Sequence, residues 1–204
     1  MYTMSTSSYH HGRLREALVE EGRKILSSRG PAALTLREVA AAAGVSHTAP
    51  YRHFESKSAL WAAIAEEGFV RLADRMSRAM VDGREPVRAV QGAGLAYVEF
   101  AIGNGSLFSL MFGPELADRS SFPGLKNAAD LCFNVLVEGL ERCKTSGKLP
   151  TGAQIPELAL SAWSLVHGLA TLLLAGQQKG RVLPGTSVRD LVNGATRTLY
   201  EGMR

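Results

Sequence analysis

Residues 34–60 read Leu34-Thr35-Leu36-Arg37-Glu38-Val39-Ala40-Ala41-Ala42-Ala43-Gly44-Val45-Ser46-His47-Thr48-Ala49-Pro50-Tyr51-Arg52-His53-Phe54-Glu55-Ser56-Lys57-Ser58-Ala59-Leu60, and this stretch decides the fold. Thr35 with Glu38 three residues on is a capping box: the hydroxyl accepts from the third helical amide and the carboxylate reaches back to the cap. Leu36, Val39, Ala40 and Ala43 recur at helical spacing and form the buried stripe of a short helix. Gly44 suits the left-handed residue of a tight turn, Val45 is an apolar staple and Ser46 the next cap. The following helix, residues 47–53, is too short and polar to be stable alone, so the helix before it must hold it. Pro50 would normally clash with the carbonyl four residues back; that residue is Ser46, the cap, so the damage stays in the first turn. Ser56 then caps a helix reaching about residue 80, with Leu60, Trp61, Ile64, Ala65, Leu72 and Met76 inward.

Working outward, residues 11–28 form a preceding helix with Leu14, Ala17, Leu18, Ile25 and Leu26 on one face, ended by Gly30-Pro31. Beyond the Asp82-Gly83 break, residues 86–104 and 106–112 form two strongly apolar helices, and Glu99 is the only charge between Ala89 and Pro114. Residues 123–144 are amphipathic through Leu125, Cys132, Val135, Leu136 and Leu140. Pro156 opens a long uncharged helix, and residues 187–203 close the chain with Val188, Leu191, Val192, Ala195 and Leu199 inward. No stretch alternates with period two and no repeat occurs, so the chain is expected to be all-α with about nine helices.

Composition bounds the function. The chain has 204 residues, 46% apolar and 21% charged, the balance of a folded globular protein. Net charge is +4, and it is uneven: residues 1–60 carry eight Lys/Arg against five Asp/Glu, and residues 61–204 carry fifteen against fourteen. The first third also holds His10, His11, His47 and His53, four of the five histidines. A small basic module therefore precedes a nearly neutral one. Cys132 and Cys143 lie eleven residues apart on one helix, about 16 Å along its axis, too far to bridge. No zinc spacing exists, and no metal or cofactor is expected. Residues 1–12 lack the apolar stretch of a secretory signal, which points to a cytoplasmic, reducing location; Asn104-Gly105-Ser106 is then a chance sequon. Residues 158–178 reach membrane-spanning length, but Ser161, Ser164, His167 and Thr171 favour a helix buried in protein, with no membrane partner.

Two short helices joined by a Gly-containing turn and preceded by a longer helix have helix-turn-helix geometry. Major-groove binding needs a narrow second helix with donors on its exposed face and cations at its edges. His47, Thr48 and Arg52 supply the face, Tyr51 and His53 donate to phosphates, and Lys57 lies in the first turn of the next helix. A packed α-hairpin of purely structural role fits the same pattern.

The runs Leu34 to Ala40, Ala43 to Ser46 and Tyr51 to Leu60 resemble the N-terminal signature of the tetracycline-repressor (TetR) family over residues 11–60. The resemblance implies a dimeric, all-helical repressor with a DNA-binding domain at 1–57 and an effector-binding and dimerisation domain at 58–204. It implies double-stranded operator DNA as a partner, read by Ser46, His47, Thr48 and Ala49 and held at phosphates by Thr35, Arg37, Tyr51, His53 and Lys57, with Phe54 locking the reading helix. Pro50 stands where the family usually has leucine, and Arg13 where it has aspartate. Tyr9 to Arg15 is then either an extra DNA arm or, the favoured reading, a solvated helix cap. A metal role for His10 and His11 is weaker, because adjacent helical residues point apart.

Trp163 to Gly168 resembles the Trp-His-Gly type of regulatory domain of that family; Trp163 and His167, four apart on one face, line either a pocket or the core. A small, largely apolar effector is expected against Trp61, Tyr97, Phe100, Phe108, Met111, Phe112, Phe133 and Trp163, most of which also read as ordinary core. Glu99, in an apolar stretch, is either paired with an arginine or meets a polar ligand. The resemblance pairs the last two long helices with their copies, which agrees with a helix apolar all round needing cover on all sides. An enzyme has little support: Gly-x-Ser-x-Gly, His-Glu-x-x-His, P-loop and dinucleotide patterns are all missing. A helical adaptor remains the other alternative, and salt sensitivity of binding separates it from a DNA binder.

Overall fold

Helix α1 (Thr6–Arg29) ends at Gly30, whose φ of 77° suits glycine, and a 3-10 turn, Pro31–Ala33, leads to Thr35. Thr35 Oγ1 accepts from the Glu38 amide at 3.2 Å and starts α2 (Leu36–Ala42). The helix closes as a Schellman turn, with Val45 N–H donating to the Ala40 carbonyl at 3.0 Å and Gly44 N–H to Ala41 at 3.2 Å. Gly44 takes φ +67°, as its place in the sequence requires. A second 3-10 turn, Ala49–Arg52, precedes α3 (Lys57–Asp82), which Ser56 caps through the Ala59 amide at 3.1 Å. Then follow α4 (Pro86–Gly103), α5 (Gly105–Met111), a 3-10 turn at Pro114–Leu116, α6 (Pro123–Thr145), α7 (Ile155–Leu174) and α8 (Val188–Gly202).

The computed structural model describes residues 6–83, 85–176 and 185–202, and side chains from residue 13 onward. Among the described residues there are eight α-helices and no strand, so the all-α expectation holds. The segment Tyr9 to Arg15, read as a solvated helix cap in preference to a DNA arm, and the His10-His11 pair fall largely outside the described side chains.

The chain packs as two units. The first comprises Met1–Gly68 and Ser106–Lys126, the second Phe69–Gly105 and Asn127–Arg204. In the first, α1 presents Leu18, Val19, Ile25 and Leu26, which meet a core containing Leu34, Leu36, Val39, Phe54, Leu60 and Ile64. Gly22 lets the helices close: a Cβ there would lie 2.7 Å from Ile64 Cδ1. Ala17, expected inward, is exposed and Val19 is buried instead, because the contact stripe runs Leu18, Gly22, Ile25 and Leu26.

In the second unit α4 packs against α7 and α8, which also touch each other. Gly94 permits this, a Cβ there meeting Val166 Cγ1 at 3.3 Å and Thr196 Cγ2 at 3.8 Å. Asn104 caps the end of α4, its Nδ2 donating to the Phe100 carbonyl at 2.9 Å. Cys132 and Cys143 are both free and buried on α6, and burial pushes their thiols up to about 12 and about 11. α7 is long and apolar enough to cross a membrane, yet it buries only Ile155, Ala159, Val166 and Ala170.

Candidate nucleic-acid interface

The start of α2 is built differently from the capping box read in the sequence. The Thr35 amide is already donated to the Ala33 carbonyl at 3.1 Å, so Glu38 has no cap N–H to reach. Its carboxylate pairs instead with Arg29 at 2.8 Å, and Arg37 stands exposed beside it.

Pro50 decides the shape of the segment after the Gly44 turn. An α-helix would give the Ser46 carbonyl to the N–H of residue 50, which proline lacks. That carbonyl accepts from Ala49 at 3.0 Å instead, and the Pro50 carbonyl accepts from both His53 and Phe54 at 2.9 Å. The expected helix over 47–53 is therefore a single 3-10 turn. Its inner side is Pro50, with Phe54 buried behind it and the Arg15 guanidinium 5.6 Å over the Phe54 ring. Ser46 and Thr48 pair through their hydroxyls at 3.2 Å. Ser46, His47, Thr48, Tyr51 and Arg52 are exposed, Tyr51 at 62%, whereas Ala49 and His53 are half-buried. Short polar and aromatic donors are thus exposed along a segment narrow enough for a groove.

Lys57 is exposed in the first turn of α3, and its Nζ lies 4.4 Å from the centre of the Trp61 ring. Trp61 is 8% exposed, and its Nε1–H donates to the Leu34 carbonyl at 3.1 Å. From the sequence, Trp61 reads only as core and pocket wall. The signal for the rest was the i, i+4 spacing of Lys57 and Trp61.

The residues expected around an effector divide between the units. Phe108, Met111 and Phe112 belong to the first, with the Phe108 and Phe112 rings 4.8 Å apart. Tyr97, Phe133, Trp163 and His167 meet in the second. The Tyr97 hydroxyl lies 2.8 Å from His167 Nδ1 and accepts from Trp163 Nε1–H at 3.3 Å. The Phe133 ring meets Trp163 edge-on at 5.9 Å. Burial holds the Tyr97 phenol well above its usual range, only partly offset by the Trp163 bond, and lowers the proton affinity of His167. Phe100 is buried in the same helix. Glu99, expected in the interior, is exposed instead, because Tyr97, Val98 and Phe100 take the inward positions; its partner is Arg189, at 4.0 Å. Among the described residues no cluster of three His, Cys, Asp or Glu could hold a metal ion.

A small helical unit that presents a one-turn polar segment after a glycine turn, together with a second helical unit, suits a DNA-binding regulator. Residues 18–64 match the family model described as bacterial regulatory proteins, tetR family, and residues 90–195 match the tetracyclin repressor-like C-terminal domain. The chain belongs to the tetR family of bacterial transcriptional regulators, and it is a regulator rather than an enzyme. It is 30% identical over 147 residues, 72% of each chain, to the HTH-type transcriptional repressor DhaR of Mycobacterium sp. (strain GP1). Among solved structures it resembles a protein of unknown function from Rhodococcus sp. RHA1, at 31% identity and a TM-score of 0.82 over 96% of this chain and 97% of that one. It shares its fold with the regulator FadR of Bacillus subtilis, solved with stearoyl-CoA, at 14% identity and a TM-score of 0.73 over 93% and 99% of the two chains. The C-terminal match includes α7, which places that apolar helix within the tetracyclin repressor-like C-terminal domain.

Proposed function

We propose that this chain is a cytoplasmic, ligand-responsive repressor that binds a pseudo-palindromic operator as a homodimer and is released by a small, largely apolar effector. The observation that carries this reading is the exposed set His47 and Thr48, just before the 3-10 turn, and Tyr51 and Arg52 on it, with Arg37 and Lys57 exposed at the starts of α2 and α3. Base edges are reached from the turn, and phosphates from the helix starts, where amides and cations favour anions. Residues 1–57 do the reading and residues 58–204 the regulating. The effector's polar group meets Tyr97, Trp163 and His167, and its apolar body lies among the aromatic side chains of that region. Release is a population shift, in which the effector binds better to a conformation whose two reading segments are mis-spaced for the operator.

The test is random-site selection with the full chain, followed by anisotropy titration of the recovered duplex beside a scrambled one at two salt concentrations. A preferred duplex, bound with steep salt dependence and weakened by Tyr51→Ala and Lys57→Ala, supports the reading. Recovery of no preferred duplex overturns it.

A further inference from the structure

Trp61 makes two contacts that lead to two different parts of the DNA-facing surface. The edge of the indole, through Nε1–H, holds the Leu34 carbonyl at 3.1 Å. That carbonyl stands one residue before the α2 ladder, whose first acceptor is Thr35, bonded by the Val39 amide at 3.0 Å. Leu34 itself is fully buried, so its carbonyl needs an internal donor, and the indole supplies one. The edge contact thereby fixes the entry into α2 and the place of Thr35 and Arg37.

The indole face does something separate. Lys57 Nζ is 4.4 Å from the ring centre, within the range where an ammonium is attracted to an indole face. A lysine side chain on a helix surface samples many rotamers, and fixing it at a phosphate costs it that freedom. A ring four residues on restricts that sampling before DNA arrives.

We propose that Trp61 is a positioning residue for operator binding: its edge sets the start of α2 and its face holds the Lys57 ammonium where the phosphate backbone meets α3. The proposal rests on the reading that Lys57 contacts phosphate. It assigns Trp61 a role in DNA affinity beyond filling the core of the first unit.

The test is a double-mutant cycle on the duplex recovered by random-site selection, using Lys57→Ala, Trp61→Leu, Trp61→Phe and the double variant Lys57→Ala/Trp61→Leu. Each is titrated at several salt concentrations, and each fold is checked by circular dichroism. Lys57→Ala should lower the slope of log affinity against log salt by about one. Trp61→Leu removes both face and edge and should weaken binding by roughly ten-fold in the parent, with at least a third of that effect lost when Lys57 is already alanine. Trp61→Phe keeps a ring face and should fall between parent and Trp61→Leu in affinity while retaining the parent's salt slope. An unchanged slope in Lys57→Ala overturns the phosphate reading and the face contact built on it. A normal drop in that slope, with Trp61→Leu costing the same in both backgrounds, leaves the phosphate reading standing and overturns the positioning role. If Trp61→Leu fails to fold, Trp61→Met, which also removes the ring face while filling more of its volume, decides the same question in the two Lys57 backgrounds. Recovery of no duplex overturns both readings.

Discussion

At Gly44 the penalty for a side chain is conformational, since φ is +67° and nothing lies within 4 Å of where a Cβ would stand. Gly44→Ala should therefore cost about 1 kcal/mol, the usual penalty for an L-residue held left-handed, and lower the melting temperature by roughly 2–4 °C. DNA affinity should fall as well, because this turn carries the segment proposed to read bases; a thermal melt and an anisotropy titration check both. A larger melting loss with unchanged DNA affinity would detach the turn from reading. His167 sets a second residue-scale expectation. Burial lowers its proton affinity, so the unfolded chain takes up a proton near the ordinary 6.5 while the folded chain resists until the pH is lower. Below 6.5 the unfolded state then binds more protons than the folded one, and stability declines as pH falls through that window. His167→Gln removes the titrating group, so its melting temperature should change less than the parent's between about pH 7 and about pH 5. Parallel melting curves for the two proteins would show that His167 does not carry this dependence. Tyr97→Phe removes the acceptor of Trp163 and the hydroxyl beside His167 Nδ1, and should cost about 1–3 kcal/mol by denaturant unfolding.

Among the elements, the reading segment owes its form to one missing hydrogen. Leucine at position 50 would return an N–H to the Ser46 carbonyl and allow an i to i+4 bond where Ala49 now bonds at 3.0 Å. Pro50→Leu is expected to turn the 3-10 segment into a helix and rotate His47, Thr48, Tyr51 and Arg52 relative to one another. Random-site selection should then recover a different preferred sequence. Affinity for scrambled duplex, set by phosphate contacts, should stay within about two-fold. An unchanged preferred sequence would show that the turn's pitch does not set base reading. The same element shows how far local sequence reaches. The α2 start at Thr35, the turn at Gly44, the Ser56 cap and the inward run Leu60, Trp61 and Ile64 were legible, because each depends on spacing within a few residues. The pitch of the reading segment was not, because it depends on which donor reaches the Ser46 carbonyl. Glu38 was misread for a similar reason, its expected partner amide being taken by Ala33. The Tyr97 and His167 pair spans 70 residues, a separation that no local periodicity encodes. Glu99 looked interior because its neighbours are apolar, yet on a helix the neighbours face other ways.

At the scale of the whole molecule, α7 is a helix with an exposed apolar side. Its buried stripe is Ile155, Ala159, Val166 and Ala170, and its other side carries Leu160 at 56% exposure and Leu172 at 46%. Between these leucines run Ser161, Ser164, Gly168 and Thr171, in steps of three, four and three residues. An apolar side with small residues along its middle suits close approach of another helix, and in the proposed homodimer that helix is the same segment of a second copy. Gly168 separates this arrangement from mere packing within one chain. A Cβ built there meets nothing within 4 Å of the single chain, whereas in the proposed dimer it would stand between two copies. Gly168→Ile should keep the parent's helical content by circular dichroism, yet raise the dimer dissociation constant at least ten-fold, a loss of about 1.4 kcal/mol. Sedimentation velocity at micromolar concentration measures the shift. Operator affinity should fall with it, because two reading segments held on one two-fold axis meet two half-sites at once and separate chains do not. If Gly168→Ile sediments as the parent does and binds the selected duplex equally well, α7 is not the face on which two copies meet. If it sediments as a monomer with operator affinity intact, the pseudo-palindromic dimer reading fails while DNA binding by the head stands.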